Sequence, residues 1–145
     1  MIIENDKLLL AQYLSEIRFK KYSLGEFDCV LFVADWIDRL TGGNWTKDIK
    51  GKYASKRDML RFAKKYSLEE LEVNNPEYKE ISRNELPAAG DIWWYYNKTH
   101  YTGFIIFQGF AWCVMENNDG IRKDLLEDVD LDHSPSGYAK RFRRI

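Results

Sequence analysis

The 145-residue sequence predicts one α+β domain, 1–145, with N-terminal helices packed on a C-terminal antiparallel sheet. The pattern changes near residues 74–90: before them apolar residues recur with helical spacing, and after them short runs are β-branched and aromatic. No proline-, glycine- or serine-rich linker divides the chain. Helices followed by hairpin-connected strands are typical of α+β domains with antiparallel sheets.

The first predicted helix covers 6–19, and Asn5 or Asp6 is expected to cap it. Four apolar residues share its buried side at the i, i+3, i+4, i+7 spacing: Leu10, Tyr13, Leu14 and Ile17.

The second predicted helix begins at Asp28 and ends near Leu40, where 41–43 (Thr-Gly-Gly) is a stop signal. Its core stripe is Val33, Trp36, Ile37 and Leu40. A third helix is expected from Ser55, because Ser55-x-x-Asp58 resembles a capping box. The apolar residues of this third helix are Met59, Phe62, Ala63 and Tyr66. A short helical turn is expected at 67–70.

Four strands are predicted after the turn signal at 87–90, over 91–96, 103–107, 110–116 and 138–145. Gln108-Gly109 has the composition of a tight hairpin turn, and 118–120 marks another turn. The basic residues of the last strand favour a solvated or partner-facing edge.

Composition excludes several classes of protein. Hydrophobic residues make up 45% and charged residues 31%, which is ordinary globular usage, and the net charge of −1 creates no basic field for nucleic acid or acidic lipid. The N-terminal segment lacks the features of a signal peptide, and no apolar stretch is long enough to cross a membrane. Two cysteines 84 residues apart, expected to be reduced, do not have metal-ligand spacing. The aromatic content of 15% indicates a dense core or a surface that a partner covers.

Cys29 is the main candidate for chemistry. If Asp28 caps the second helix, the free N–H groups and the helix dipole at Cys29 favour a thiolate and lower its pKa. The alternative is a small buried residue packed between helix and sheet, since free cysteine is among the most buried residue types.

A nucleophilic cysteine also needs a base, and the sequence offers His100 and His133, each of which also fits a solvated surface histidine.

The acidic run 124–132 resembles a calcium loop, but His133 stands where such a loop needs glycine and Ala139 where it needs glutamate. Neither a metal site nor a cofactor is therefore expected.

The segment 25–42, Gly-Glu-Phe-Asp-Cys through Thr-Gly, resembles the Asp-Cys helix of NlpC-type, papain-like cysteine peptidases. It is more similar to a small family of tailed-phage proteins in which Gly-x-x-Asp-Cys opens a helix ending in Thr-Gly. The pieces that follow it in that family are a Gly-x-Tyr, a Gly-Asp pair, a Gly-containing strand and an aromatic-basic last strand. They match 51–53, 90–91, 101–106 and 142–144 here.

The resemblance implies a papain-like fold with an altered catalytic set. Active members carry His-x-Gly on the strand, whereas Tyr101 stands two residues before Gly103 and His100 one residue earlier. Strand side chains alternate between faces, so this offset is expected to turn His100 away from Cys29, unless a bulge at 99–102 restores it. The third catalytic position falls at Cys113, which is unsuited to orient a base.

The resemblance thus implies a structural component of a phage tail tip or baseplate, located in the virion tail and assembled in the host cytoplasm with other tail proteins. The alternative is a cysteine endopeptidase or amidase that cleaves peptidoglycan stem peptides during entry. There Cys29 is the nucleophile, His100 the base, Tyr101 a possible proton donor, and helix N–H groups form the oxyanion hole. A third interpretation is a bacterial immunity or adaptor domain of the same fold. Neither nucleic acid nor membrane insertion is expected.

Overall fold

A computed structural model of the chain describes residues 4–65, 75–96, 101–116, 119–132 and 138–145. The helices and strands in these ranges are α1 (Glu4–Ile17), α2 (Cys29–Thr41), α3 (Trp45–Ile49), α4 (Lys56–Lys64), β1 (Tyr78–Ile81), β2 (Ile92–Tyr96), β3 (Tyr101–Phe107), β4 (Phe110–Met115), β5 (Gly120–Leu125), α5 (Leu126–Asp132) and β6 (Tyr138–Arg144). The strands form one antiparallel sheet in the order β1-β6-β2-β3-β4-β5, which confirms the predicted α+β class.

The register of the sheet is set by a tight hairpin between β3 and β4. Gln108 and Gly109 connect the paired residues Phe107 and Phe110, and their φ angles of 54° and 78° are both positive. A two-residue turn of this kind matches the right-handed twist of the flanking strands, as the sequence predicted. On the other side of β3, Trp94 of β2 lies opposite Gly103.

One face of the sheet is covered by α1, α2 and α4 and holds the larger core. Tyr13 of α1 stacks between Phe32 and Trp36 of α2, with ring centroids 5.8 and 5.9 Å away. Its hydroxyl donates to the carbonyl of Phe32 at 2.7 Å, so that this buried polar group has a partner. The strand residues of this core include Ile92, Trp94, Ile105, Val114 and Phe142.

The opposite face of the sheet has a second, smaller core that α5 helps to cover. Trp93, Phe104 and Cys113 pack there with Val129 of α5. The guanidinium of Arg141 lies 3.7 Å from the centroid of the Trp93 ring. The alternation of side chains along each strand separates the two cores.

The three predicted helices are present, with one difference at the start of the chain. The four residues expected on the buried face of α1 are all buried. Asp6, however, lies inside α1, where its carboxylate accepts from Arg144 at 3.0 Å, so the expected cap at Asn5 or Asp6 is wrong. The prediction missed an ion pair with the far end of the chain.

The predicted caps of the next two helices are confirmed. Asp28 caps α2, and Gly42, with a φ of 73°, ends it in the left-handed conformation. Ser55 caps α4 by accepting from the N–H of Asp58 at 3.2 Å. Tyr66 and the expected turn at 67–70 lie outside the described residues.

Four elements, α3, β1, β5 and α5, were not predicted from the sequence. The reason is clearest at α3, whose first N–H groups, on Trp45 and Thr46, donate to the carboxylate of Asp38 at 2.9 and 2.8 Å. The adjacent Asn44 makes no side-chain cap. A cap supplied from the preceding helix gives no local signal at the start of α3.

The last strand was placed correctly in the sequence but wrongly at an edge. β6 lies inside the sheet, paired with β1 on one side and β2 on the other. Arg141 and Phe142 are buried on its two faces. The basic residues that suggested a solvated edge instead make internal contacts, described below.

Candidate functional site

The candidate site is built on the N-terminus of α2. The carboxylate of Asp28 accepts from the backbone N–H groups of Val30 and Leu31 at 3.1 and 3.0 Å, and from that of Gly25 at 2.9 Å. Asp28 itself is fully buried. An aspartate that accepts from the first turn of a helix satisfies N–H groups that have no partner within the helix. Cys29 is therefore held as the first residue of α2, as predicted.

A second segment joins this cap from 51–53. The hydroxyl of Tyr53 donates to Asp28 at 2.5 Å, and the N–H of Gly51 donates to the carbonyl of Gly25 at 2.8 Å. Gly25 has a φ of +82°, and a Cβ there would lie 2.5 Å from the carbonyl oxygen of Tyr53. We call Gly25, Asp28, Gly51 and Tyr53 the Asp28 clamp. It unites two motif pieces that are about 25 residues apart in the chain.

Cys29, which directly follows the capping residue Asp28, is 6% exposed. Burial above all, together with the negative charge of Asp28, raises the pKa of Cys29 to about 12, against a lowering effect from the backbone at Gly103 and Cys29. The expected lowering of the pKa of Cys29 by the helix terminus is therefore wrong. Desolvation of a thiolate and an adjacent carboxylate outweigh the helix dipole, so the thiol is protonated at neutral pH.

Tyr22 is a residue of this site that the sequence analysis did not single out. Its side chain is partly buried, and burial raises its pKa to about 12, with further contributions from the charges of Asp28, Glu116 and Cys29. The hydroxyl of Tyr22 therefore lies within electrostatic reach of the thiol. The only local signal for it was an aromatic residue three positions before the glycine of Gly-x-x-Asp-Cys.

The remaining candidates do not complete a catalytic set among the described residues. His100 and His133 lie outside those residues. Tyr101 begins β3, where its backbone pairs with Tyr96, but its side chain also lies outside what is described. The proposed roles of His100 and Tyr101 as base and proton donor therefore stay predictions.

Cys113, at the third catalytic position, lies in the second core on the opposite face of the sheet from the core that holds Cys29. Burial raises the pKa of Cys113 to about 12, and Arg122 lowers it through its charge and a hydrogen bond. A residue on the other side of the sheet does not orient a base beside Cys29.

The motif pieces at 90–91 and 142–144 form a second clamp, between residues that are 52 positions apart in sequence. Arg143 of β6 donates to both carboxylate oxygens of Asp91, from Nε at 2.9 Å and from a terminal nitrogen at 2.8 Å. The same guanidinium donates to the carbonyl of Leu86 at 2.7 Å and pairs with Glu85 at 3.1 Å. A two-point contact between arginine and carboxylate fixes geometry as well as charge. We call Asp91, Arg143, Glu85 and Leu86 the Arg143 clamp.

A family model described as a domain of unknown function, DUF6950, matches residues 4–130. The chain belongs to the DUF6950 family. No curated protein and no solved structure matches it. The whole Asp28 clamp lies within the DUF6950 match, whereas the Arg143 clamp joins a matched residue, Asp91, to β6, which lies beyond the match.

The glycine of the DUF6950 strand β3 also has a packing role. A Cβ at Gly103 would lie 2.6 Å from the ring of Trp94, which is 2% exposed. Absence of a side chain at 103 lets this indole lie flat against β3 in the core that also contains Cys29.

In the ranges that the structure describes, no group of three or more His, Cys, Asp or Glu residues is placed to hold a metal ion. No helix in those ranges is long and apolar enough to cross a bilayer.

Proposed function

We propose that this protein is a structural component of a phage tail tip or baseplate, built on a papain-like, NlpC-type fold that does not catalyse peptide cleavage. The observation that carries the non-catalytic part is the state of Cys29. A nucleophilic cysteine needs a substantial thiolate population and access to its substrate. Cys29 is buried, beside the carboxylate of Asp28, with its pKa raised to about 12.

The roles of the motif residues support the same proposal. The pieces that resemble the phage family, at 25–29, 51–53, 90–91 and 142–144, contribute to the Asp28 and Arg143 clamps. Both clamps join segments that are distant in the chain and hold the helices and the sheet in place. These contacts give the motif residues a structural role that requires no reaction. The tail location itself rests on the resemblance.

The decisive experiment is a genetic complementation. The gene is deleted from the genome that carries it, and wild type, Cys29→Ala or Asp28→Ala is supplied in trans. We expect defective tails and loss of plaques on deletion, full rescue by wild type and Cys29→Ala, and poor rescue by Asp28→Ala, because only the last removes a clamp. Electron microscopy of the particles and immunogold labelling of the tail tip report location directly.

Two results would overturn the proposal. Normal tails in the deletion strain would remove the tail role. Rescue by wild type but not by Cys29→Ala, with release of stem peptides from purified cell-wall fragments that both Cys29→Ala and His100→Ala abolish, would establish the peptidase alternative.

A further inference from the structure

The charge of this nearly neutral chain is strongly segregated along the sequence. Residues 47–65 carry eight Lys or Arg against two Asp, a net charge of +6, although the whole chain carries only −1. Residues 124–132 carry five Asp or Glu and no base. Segregation of this kind creates local fields that the net charge hides.

The basic segment presents a charged face on α4 and the loop before it. Met59 and Ala63 of α4 are buried in the larger core, which turns the charged residues of the helix outward. The basic face consists of the exposed residues Lys52, Lys56, Arg57, Arg61 and Lys64. Its ion pairs include Asp58 with Arg61 at 2.9 Å and Glu116 with Lys56 at 2.7 Å. Residues 47–65 nevertheless carry eight Lys or Arg against two Asp.

The acidic segment forms α5 on the other side of the sheet. Val129 packs α5 into the second core with Trp93, and Glu127 and Asp128 are exposed. Asp130 and Asp132 belong to the same helix. We call Glu127 and Asp128 the acidic face. Because the two cores lie on opposite faces of the sheet, the basic and acidic faces lie on opposite sides of the molecule.

We propose that the basic face is a docking surface for the acidic face of a second copy of this chain, so that copies associate head to tail. Charge complementarity indicates this partner, because each copy presents both a basic and an acidic face. The two faces lie on opposite sides of the molecule, so they can meet only between two copies. Such a contact joins the basic face of one copy to the acidic face of another. The pair still has one unoccupied basic face and one unoccupied acidic face, so further copies can add until a closed ring or a filament forms. This inference does not depend on the proposed tail role.

The test measures self-association of the full chain by sedimentation velocity. Wild type is expected to associate in a concentration-dependent way at about 50 mM NaCl, and at least about tenfold more weakly at 500 mM, where exposed charges are screened. Two variants each change the charge of one face by four: Lys52→Glu with Arg57→Glu, which leaves three bases and two glutamates on the basic face, and Glu127→Lys with Asp128→Lys, which reverses the acidic face. Each is expected to be monomeric alone. Mixed in equal amounts they are expected to associate, because the unaltered basic face of one variant meets the unaltered acidic face of the other.

A matched control, Arg18→Glu with Lys79→Glu, removes the same charge as the basic-face variant from exposed positions outside both faces. It is expected to associate like wild type. The thermal midpoint of each variant, measured beforehand, shows that it is folded. Wild type that stays monomeric at low salt, a control that loses association as the face variants do, or a mixture that stays monomeric would each overturn the proposal.

Discussion

Cys29 experiences opposing influences at the residue scale. Its position at the first turn of α2 and the backbone at Gly103 stabilise a thiolate, whereas burial and the charge of Asp28 destabilise it. Burial and the charge of Asp28 outweigh the helix end. A charge at a helix end is stabilised by about 0.3–1 kcal/mol in exposed settings, whereas burial can shift a pKa by several units, and each unit corresponds to about 1.36 kcal/mol. The reactivity of this cysteine is set by its packing.

The raised pKa of Cys29 has a consequence for stability against pH. In the unfolded chain the thiol titrates near 8.5, whereas in the folded protein it titrates at about 12. As the pH rises through this window the unfolded chain loses the proton first, so the free energy of unfolding falls by up to about 1.4 kcal/mol per pH unit from this group. Below pH 8.5 the thiol is protonated in both states, so its contribution to the free energy of unfolding is fully present there. Cys29→Ser, whose hydroxyl does not titrate there, is expected to show a shallower fall.

Urea unfolding of wild type and Cys29→Ser at pH 7, 8, 9 and 10 measures this difference. Iodoacetamide is expected to modify Cys29 in the folded protein more slowly than a free thiol at pH 8. Equal pH slopes for the two proteins, or faster modification than the free thiol, would show that the thiol ionises readily in the fold.

At the scale of the elements, one carboxylate joins a helix cap to a distant loop. Asp28 accepts from three backbone N–H groups and from the hydroxyl of Tyr53 while fully buried. A buried group with this many partners is costly to remove, because its donors are left without water or protein acceptors. The cap of α4 at Ser55 lies at an exposed site and makes a single contact of 3.2 Å.

These caps predict a ranking of three variants. Asp28→Ala is expected to lower the free energy of unfolding by about 3–5 kcal/mol, because it removes a helix cap and strands four buried donors. Tyr53→Phe removes one of those donors and is expected to cost about 1 kcal/mol. Ser55→Ala, the exposed cap, is expected to cost 0.5–1 kcal/mol, roughly as helix caps do. Chemical denaturation gives all three values. If Asp28→Ala lowered the free energy of unfolding by no more than Ser55→Ala does, the stabilising role of the Asp28 clamp would be contradicted.

For the whole molecule, the C-terminal strand closes the fold. β6 lies between β1 and β2, and its residues reach elements from both ends of the chain: Arg144 pairs with Asp6 of α1 at 3.0 Å and with Glu77 at 2.9 Å. Arg143 makes the second clamp, and Phe142 is fully buried in the larger core. The strand that completes the sheet is thus the last one in the chain.

Removal of 133–145 is therefore expected to abolish folding. The truncated chain would lack the strand that lies between β1 and β2, so that β2 would pair only with β3. It would also have a clamp without its arginine and a cavity at Phe142, losses that together exceed the roughly 5–15 kcal/mol by which a domain is stable. Its thermal unfolding, followed by circular dichroism, is expected to show no cooperative transition. Ile145→Ser, at a residue that is 70% exposed, is the control and should change stability by less than about 0.5 kcal/mol. A cooperative transition in the truncated chain would show that β6 is dispensable.

The amino-acid pattern alone was enough to predict the α+β class, the buried faces of α1 and α2, the caps at Asp28, Gly42 and Ser55, and the hairpin turn at 108–109. The helix faces, caps and turn depend on residues within two helical turns of one another, so periodicity and capping chemistry express them directly. The sequence also singled out Cys29 and placed it correctly at a helix start.

The ionisation of the Cys29 thiol and the position of β6 in the sheet could be read only from the folded chain. The pKa of Cys29 depends on burial by distant segments, the Asp28 clamp joins residues about 25 positions apart, and Arg143 reaches an aspartate 52 positions away. α3 was missed because its N-terminus is capped by Asp38 of another helix. These features depend on desolvation and on contacts between distant segments, and both exist only once the chain has folded.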